Sequence, residues 1–218
     1  MKKQTCDILI YGAGGLGKEV ACTINRINTK APTWNLIGFI DDAIPVGTPI
    51  SHYGEILGGI EFINGYPCKI AVVIAVGNGN ISKKIVSQIY NPNIEFPNLI
   101  YPDFWVEDKN SFSIGKGNII QGSCIATCDV TIGDFNILNG SVVIGHDVKI
   151  GNHNIIMPAT RISGEVEIGN FNLLGVSSII LQQIKIKNNT KIAAGAVLMT
   201  NPKENCTYIG NPAKKFNF

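Results

Sequence analysis

The chain has 218 residues, 45% of them hydrophobic, which is enough to form two small domains with buried cores. Its 18 Lys and Arg residues nearly balance its 16 Asp and Glu residues, so its charge gives no indication of a nucleic-acid or anionic-membrane partner. The apolar stretch near the N-terminus is too short and interrupted for a signal peptide or a membrane span. We therefore expect a cytoplasmic protein without membrane insertion.

Apolar runs alternate with helical segments in the first part of the chain. The sequence predicts strands at residues 7–11, 36–40 and 71–76, and helices at residues 18–27 and 82–90. Strands that are apolar throughout and alternate with helices are typical of a parallel sheet covered on both faces. This part is therefore predicted to be a small Rossmann-like α/β domain.

A glycine-rich turn joins the first predicted strand to the first helix. Gly12, Gly14 and Gly17 form the Gly-x-Gly-x-x-Gly pattern, which lets the backbone approach a phosphate at the helix N-terminus; a tight turn without a ligand is the alternative. Asp41 and Asp42 end the second strand, where an NAD-binding fold carries its ribose-binding acid. The domain is only about half as long as a full dinucleotide fold, so a nucleotide-sugar fits it better than NAD.

Prolines mark the end of this region. Pro92, Pro97 and Pro102 follow one another closely and indicate a domain junction at residues 98–108. The sequence therefore predicts a nucleotide-sugar-binding domain at residues 1–103 and a second domain at residues 104–218.

A repeat of six residues organises the second domain. From Ile114 to Leu198 every sixth residue is Ile or Leu, apart from Ala126. The position two residues earlier holds small, β-branched or Asn residues, and Gly follows the aliphatic residue in several units. A period of six fits neither an α-helix nor an alternating strand with hairpin turns, and an ordinary β-sandwich would need variable loops.

This repeat predicts a left-handed parallel β-helix. Each unit would form one short strand and one corner, with the aliphatic residue inside the coil and with Gly or Asn near the corner supplying the positive φ of a tight turn. Three units would close one coil, so the repeat would stack into about five coils that contact their neighbours. The segment from residue 201 onward leaves the register and is predicted to be a terminal extension.

The candidates for a general base near neutral pH are the three histidines. His146 is followed by Asp147 at a predicted corner, where it would project outward onto a surface that another subunit or the first domain could complete; a solvated surface histidine is the alternative. His153 also falls at an outward position, and a surface role is favoured for it. A zinc site of three histidines, as in the γ-class carbonic anhydrases, would need more histidines in the repeat than these two.

The six cysteines are scattered, and buried free thiols are expected for them. Cys124 and Cys128 have the spacing of half a zinc site, but no second Cys or His pair lies nearby to complete a tetrahedral set. We therefore expect no metal.

Several motifs, taken together and in order, resemble the PglD/NeuD family of bacterial sugar acyltransferases, which belong to the hexapeptide-repeat superfamily. The resemblance covers essentially the whole chain. The motifs are Gly12-Ala13-Gly14-Gly15-Leu16-Gly17-Lys18, Asp41-Asp42, Ala75-Val76-Gly77-Asn78, His146-Asp147 and Ile209-Gly210-Asn211-Pro212-Ala213-Lys214.

The resemblance implies a homotrimer, with acetyl-CoA in the groove between adjacent β-helices and a nucleotide-sugar anchored by the first domain. It implies that His146 is the general base, that Asp147 orients it or raises its basicity, and that the backbone of Gly164 faces the thioester oxygen. The positions that would contact the nucleotide-sugar are Gly14, Gly15, Leu16, Asp41, Asp42 and Gly77. The positions that would contact acetyl-CoA are Ile155, Gly164, Val176, Ala194, Gly195 and Lys214 or Lys215.

Two positions depart from the family pattern. Leu16 stands where relatives often have a His in the glycine motif. Ile155 stands where they often have a second His, nine residues after the base, close to acetyl-CoA.

The function implied by the resemblance is transfer of an acetyl group from acetyl-CoA to the amine of a UDP-linked 4-amino sugar in bacterial glycan or surface polysaccharide biosynthesis. The acceptor would attack directly in a ternary complex, with His146 removing its proton. O-acetylation of sialic acid or another polysaccharide sugar would use the same base and cosubstrate. A third, more distant interpretation is an NAD(P)-binding protein or nucleotide-sugar sensor with a β-helix used only for assembly.

Overall fold

The computed structural model describes residues 5–216 and has the predicted fold class, an α/β region followed by a left-handed parallel β-helix. The described residues divide between Pro102 and Asp103 into two compact units. The boundary predicted from the sequence, between residues 103 and 104, lies one residue further along the chain.

The first unit is an α/β domain with short strands. Its elements are β1 (Cys6–Tyr11), α1 (Gly15–Lys30), β2 (Trp34–Ile40), β3 (Ile56–Gly58), α2 (Ile60–Asn64), β4 (Ile70–Ile74), α3 (Gly79–Gln88), β5 (Ile94–Glu95) and β6 (Leu99–Ile100). Five of the strands form a parallel sheet in the order β3-β2-β1-β4-β5. The side chains of β4 are all buried, as expected for a central strand covered on both faces.

Helix α1 begins at Gly15, three residues before the start predicted at residue 18. Glycine disfavours helix, so the prediction placed the start after the last glycine of the motif. In the structure Gly17 lies inside the first turn because the helix packs closely on the end of β1. A side chain at Gly17 would overlap the backbone oxygen of Gly12, so this packing requires glycine.

The second unit consists of strands of two or three residues on three faces, separated by corners. The first face contains β7 (Trp105–Val106), β10 (Ile125–Ala126), β13 (Val143–Ile144), β16 (Arg161–Ile162), β19 (Ile179–Ile180) and β22 (Val197–Leu198). The second face contains β8 (Ser113–Ile114), β11 (Thr131–Ile132), β14 (Lys149–Ile150), β17 (Glu167–Ile168) and β20 (Lys185–Ile186). The third face contains β9 (Ile119–Ile120), β12 (Ile137–Leu138), β15 (Ile155–Ile156), β18 (Leu173–Leu174), β21 (Lys191–Ile192), β23 (Thr207–Ile209) and β24 (Lys214–Phe216).

Strands on one face pair in parallel with partners 18 residues away through most of the repeat, as in the pairing of Thr131 with Lys149. Three six-residue units therefore close one coil, as predicted. The register changes at the C-terminal end, where Thr207 pairs with Lys191 and β24 then returns antiparallel to β23. The segment predicted to be a terminal extension thus adds two strands to the third face.

The corners differ from the prediction. Every sixth residue from Gly117 to Gly195 has a φ between 52° and 68°, and all but these two are residues other than glycine. The expectation that Gly or Asn near the corner would supply the positive φ is therefore wrong for most corners. The coil geometry imposes the left-handed conformation on whatever residue occupies this position, including Asp147, Phe171 and Glu165.

The glycines that follow the aliphatic residues have another cause. A side chain on Gly133 would lie 2.7 Å from the backbone oxygen of Gly151, and one on Gly151 would lie 2.6 Å from that of Gly169. Neighbouring coils therefore approach too closely at this position for a side chain. The glycines are required by the contact between coils rather than by the turn.

Buried asparagines hold successive coils together. Asn154 is fully buried; its Nδ2 donates to Oδ1 of Asn136 at 3.0 Å and to the carbonyl of Gly169 at 2.9 Å. Its own Oδ1 accepts from the backbone N–H and from Nδ2 of Asn172, at 2.9 and 3.0 Å. The Asn positions found in the repeat thus serve as a hydrogen-bonded ladder inside the coil, where unpaired polar groups would be costly.

The outward side chains differ between the three faces. The first face exposes the apolar side chains of Trp105, Ile125 and Ile179, with Arg161 among them. The second face exposes polar side chains: Ser113, Thr131, Lys149, Glu167 and Lys185. On the third face the outward Ile119, Ile137 and Ile155 are buried.

The cysteines are free, but most of them are not buried as expected. Cys124 is buried inside the coil, Cys128 and Cys206 are half-buried, and Cys6, Cys22 and Cys68 are exposed. Cys124 occupies an inward position of the repeat, whereas the others fall on corners, helix surfaces or strand ends, where the hydrophobic pattern does not fix the direction of the side chain.

Candidate active site

The candidate base lies at the first corner, defined as the turns that lead from the first face to the second. Nδ1 of His146 lies 2.8 Å from Oδ2 of Asp147, and both side chains are more than half exposed. Adjacent side chains normally diverge in extended backbone, but Asp147 has the left-handed corner conformation, with a φ of 58°. The corner therefore brings the two neighbouring side chains together.

A groove runs beside this corner along the second face. It has a volume of about 690 Å³, and four carboxylates and two lysines contribute to its lining. The full lining is Ser111, Asp129, Thr131, Asp147, Lys149, Glu165, Glu167, Gln183 and Lys185. Carboxylates outnumber ammonium groups, so the groove has a formal charge of −2 beside the base.

Two of the acids in this lining have side-chain partners. Nζ of Lys185 lies 2.9 Å from Oε1 of Glu167, and this hydrogen bond and charge lower the pKa of Glu167. The Nε2 of Gln183 donates to both carboxylate oxygens of Glu165. The sequence did not identify Asp129 and Glu165 as site residues. They lie one coil before and one coil after Asp147, and this relationship appears only when corner positions 18 residues apart are compared.

The glycine motif forms an open edge at the carboxyl end of the sheet in the first unit. Gly14 and Gly15 are exposed and have no atom within 4 Å of the position where a side chain would begin. The same is true of Gly77, which follows the neighbouring strand β4. Gly14, the N-cap residue of helix α1, has no side chain that could accept a hydrogen bond from the first N–H groups of the helix, and these groups face this edge. Leu16 is half-buried beside them.

The aspartates at the end of β2 make hydrogen bonds within their own domain. Asp41 accepts from the backbone N–H of Ala13 at 3.1 Å and from that of Ala43 at 3.0 Å. Asp42 accepts from the backbone N–H of Ile60 at 2.8 Å and from the hydroxyl of Tyr11. The structure thus shows these acids supporting the glycine loop and the start of α2, a role that the sequence did not suggest.

Tyr11 is a buried titratable group at this edge that the sequence analysis did not identify. Burial and the neighbouring carboxylate of Asp42 raise the pKa of Tyr11 well above its ordinary value. The hydroxyl therefore stays protonated and acts as a donor to Asp42.

The residues expected to contact acetyl-CoA fall in three places. Gly164 lies at the first corner with His146, whereas Val176, Ala194 and Gly195 lie at the third corner, which leads from the third face to the first. These last three are exposed, and Gly195 has open space around its α-carbon. Within one chain the first face therefore separates them from the base.

Ile155 and Lys214 lie elsewhere. Ile155 is in β15 on the third face and is only 5% exposed. Lys214 is exposed in β24, where it pairs with Ile209 of β23. Neither lies at the first corner.

His153 does not have the surface position expected for it. It is buried, and its ring stacks between those of Phe135 and Phe171, with centroid distances of 5.2 and 5.5 Å. All three rings occupy left-handed corner positions one coil apart. Their spacing of 18 residues in the sequence could have revealed the stack.

No helix within residues 5–216 is long and apolar enough to cross a membrane. Over the same residues, no group of three or more His, Cys, Asp or Glu side chains is arranged to hold a metal ion.

Residues 7–89 match the family model of the PglD N-terminal domain. A comparison with curated protein sequences gave no match.

Solved structures resemble this chain over nearly its whole length. The acetyltransferase domain of PglB from Neisseria gonorrhoeae, in complex with acetyl coenzyme A, is 25% identical, with a TM-score of 0.86 and coverage of 98% of this chain and 100% of that chain. WeeI from Acinetobacter baumannii is 25% identical, with a TM-score of 0.86 and coverage of 97% and 100%. PerB from Caulobacter crescentus, in complex with CoA and GDP-perosamine, shares the fold at 22% identity, with a TM-score of 0.82 and coverage of 97% of each chain.

These matches confirm the predicted resemblance to sugar acyltransferases with hexapeptide repeats and the predicted enzyme class, an acyltransferase. The roles of the individual site residues stay predictions.

Proposed function

We propose that this chain is an acetyl-CoA-dependent N-acetyltransferase that acetylates the amine of a nucleotide-linked amino sugar in bacterial glycan biosynthesis. The observation that carries the proposal is the hydrogen-bonded pair of His146 and Asp147 at an exposed corner. It occurs in a chain that matches, from end to end, an acetyltransferase domain solved with acetyl coenzyme A. A histidine held by a carboxylate is a common form of general base.

The chemistry assigned to this pair is a direct transfer. An ionised Asp147 can only accept, so Nδ1 of His146 carries the proton and Nε2 has the free electron pair. Nε2 takes a proton from the acceptor amine as its nitrogen attacks the thioester carbonyl, a C–N bond forms, and the C–S bond then breaks. The proton passes to the departing CoA thiolate, so no covalent acyl-enzyme is needed.

The charge of the groove favours an amine as the acceptor. Asp129, Asp147 and Glu165 stack in successive coils beside His146, and the groove has more carboxylates than lysines. Such a lining attracts a cationic ammonium group and repels an acceptor that has its own carboxylate. This argues for an amino sugar over sialic acid.

The first unit supports a nucleotide as the carrier of that sugar. Gly14 and Gly15 are open and the N-terminus of α1 has no side-chain cap, as a diphosphate site requires. The solved PerB structure contains GDP-perosamine, a nucleotide-linked sugar, so nucleotides other than a UDP derivative belong among the candidate substrates.

Acetyl-CoA binding and trimer formation are connected in this proposal. The first face exposes Trp105, Ile125 and Ile179, and an apolar surface of this kind is typical of a protein interface. In a ring of three copies, the edge of the first face beside the third corner of one copy meets the edge beside the first corner of the next copy. The third corner of one copy, with Val176 and Ala194, would then lie beside the first corner of its neighbour, and acetyl-CoA would fit between them.

The direct test measures CoA release from acetyl-CoA with a panel of acceptors. The panel pairs UDP-, GDP- and dTDP-linked 4-amino sugars with the corresponding 4-hydroxy sugars, and adds free sialic acid. Turnover that requires both the amine and the nucleotide supports the proposal. Turnover with sialic acid or a 4-hydroxy sugar alone would shift the function to O-acetylation, and nicotinamide-nucleotide binding without CoA binding would indicate a sensor instead.

A further inference from the structure

The first corner repeats its positions from coil to coil, so each residue has a counterpart 18 residues away. Cys128, His146 and Gly164 occupy the same position in three successive coils. The backbone N–H of Asp147 donates to the carbonyl of Cys128 at 3.1 Å, and that of Glu165 donates to the carbonyl of His146 at 2.8 Å. Gly164 therefore lies one coil beyond the base.

The space where a side chain at residue 164 would lie is filled by the imidazole of His146. A β-carbon on Gly164 would lie 2.5 Å from Cε1 and 2.9 Å from Cδ2 of this ring, and it would also overlap Nε2. Such distances are far shorter than any ordinary carbon contact. The far edge of the imidazole thus rests against the backbone of Gly164.

Backbone conformation gives no reason for glycine at this position. Gly164 is not among the residues with a positive φ, which at the first corner are Asp129, Asp147, Glu165 and Gln183. Other glycines of the repeat have a different reason: Gly117, which meets the ring of Phe135, has a positive φ, and most of the rest meet the backbone of the next coil. A side chain on Gly151 would meet the backbone oxygen of Gly169 and Oδ1 of Asn170, whereas the three nearest atoms at Gly164 all belong to the His146 side chain.

We infer that Gly164 is a positioning residue for the base. Asp147 holds the ring at Nδ1, and the bare backbone of Gly164 leaves room for the opposite edge, so the two contacts together fix the direction of Nε2. A methyl group at residue 164 would push the ring away and bend or break its hydrogen bond to Asp147. This role acts through His146, and it differs from the expected contact between the Gly164 backbone and the thioester oxygen.

The inference rests on the proposed role of His146 as the base, but it can be tested without turnover. Long-range proton–nitrogen NMR spectra report which imidazole nitrogen carries the proton. The chain has three histidines, so His146 can be assigned with His52→Gln and His146→Gln variants. We expect wild-type His146 to be protonated at Nδ1, and Gly164→Ala to show a mixture of tautomers.

Kinetics provide the second measurement. Gly164→Ala should lower kcat on the order of 10²-fold, since misplacement of a catalytic group by about 1 Å has an effect of this size. The KM for acetyl-CoA should change less than about threefold, because in this role Gly164 acts through His146 and not on acetyl-CoA. Gly151→Ala is the matched control: it disturbs contacts between coils away from His146, so it should lower the melting temperature but leave kcat and the His146 spectrum unchanged.

A double-mutant cycle separates the two roles considered for Gly164. If it acts through the ring, Gly164→Ala should cause no further loss in a His146→Ala background. A further loss there, or an increase in KM for acetyl-CoA with an unchanged kcat, would overturn the inference. An unchanged His146 spectrum in Gly164→Ala would also overturn it. Failure of every acceptor to react would count against the proposed function alone, because the NMR result would still decide the position of the ring.

Discussion

His146 and Asp147 are neighbours in the chain, and their side chains form a hydrogen bond of 2.8 Å. This contact depends on the left-handed conformation of Asp147, which turns the carboxylate back toward the preceding ring. The same corner conformation recurs in every coil. Every coil therefore has the backbone geometry that a histidine–acid pair needs, but only one coil has both side chains.

Replacement of Asp147 by Asn should impair His146 as the base without disturbing the corner. Asn tolerates a positive φ, but its amide can donate to Nδ1, which favours the tautomer with the proton on Nε2. We expect kcat to fall on the order of 10²- to 10⁴-fold with little change in melting temperature. Asp129→Asn, the same substitution one coil earlier, is the control. Equal losses in the two variants would mean that groove charge, rather than orientation of His146, is responsible.

Replacement of His146 by Ala should strongly reduce acetyl transfer but leave CoA binding and the assembly intact. The side chain is 56% exposed, so its loss creates no internal cavity. Isothermal titration with CoA should give an affinity within about threefold of wild type, and CoA release should fall on the order of 10²- to 10⁴-fold. Near-normal turnover in this variant would exclude His146 as the base.

The apolar first face should be the surface that joins the copies. Ile125→Glu would place a charge in the interface beside Trp105 and Val143, where an unpaired buried carboxylate is costly, and should dissociate the trimer. Thr131→Glu on the polar second face is the control and should remain trimeric. Light scattering distinguishes one chain of 23.5 kDa from an assembly of three. A wild-type protein that is monomeric at micromolar concentration would contradict the proposed assembly and, with it, the location of the CoA groove.

The sequence predicts the repeat because the inward aliphatic residues must follow the period of the coil. Ile132, Ile144 and Ile150 are all almost fully buried in the structure. It predicts the corners less well, since the closed coil imposes a positive φ on residues such as Phe135 and Phe171, which rarely adopt it elsewhere. Contacts between coils could have been inferred only from residues 18 positions apart.

The sequence also predicts only part of the candidate site. His146 and Asp147 are adjacent in the sequence, so a local motif is enough to find them. The internal hydrogen bonds of Asp41 and Asp42 depend on Ala13 and Ile60, which are distant in the chain and carry no motif. Gly164 could be named from resemblance, but its contact with the imidazole depends on the three-dimensional stacking of coils.

The asparagine ladder should be a major source of stability. Asn154→Ala would leave the Gly169 carbonyl and the Asn172 N–H buried without their partner, and we expect a loss of about 2–4 kcal/mol in the free energy of unfolding. Asn152→Ala is the control: its Oδ1 accepts from the backbone N–H of Asp134 at an exposed corner, where water can replace it. Urea denaturation measures both variants. A loss as small as that of the control would mean that the ladder adds nothing to the aliphatic core.

The buried thiol of Cys124 should make stability depend on pH in the alkaline range. Burial, together with the nearby charge of Asp103, raises the pKa of Cys124 from 9.0 to about 11. The folded state therefore keeps this proton to a higher pH than the unfolded chain does. The resulting contribution to stability is complete below about pH 9 and is lost as the pH rises toward 11.

Urea denaturation of wild type and Cys124→Ala from pH 7 to 10.5 isolates this group, because other titrating residues are common to both. The stability of wild type relative to the variant should fall as the pH rises above about 9, and a difference that is independent of pH would show that the thiol titrates alike in the folded and unfolded states.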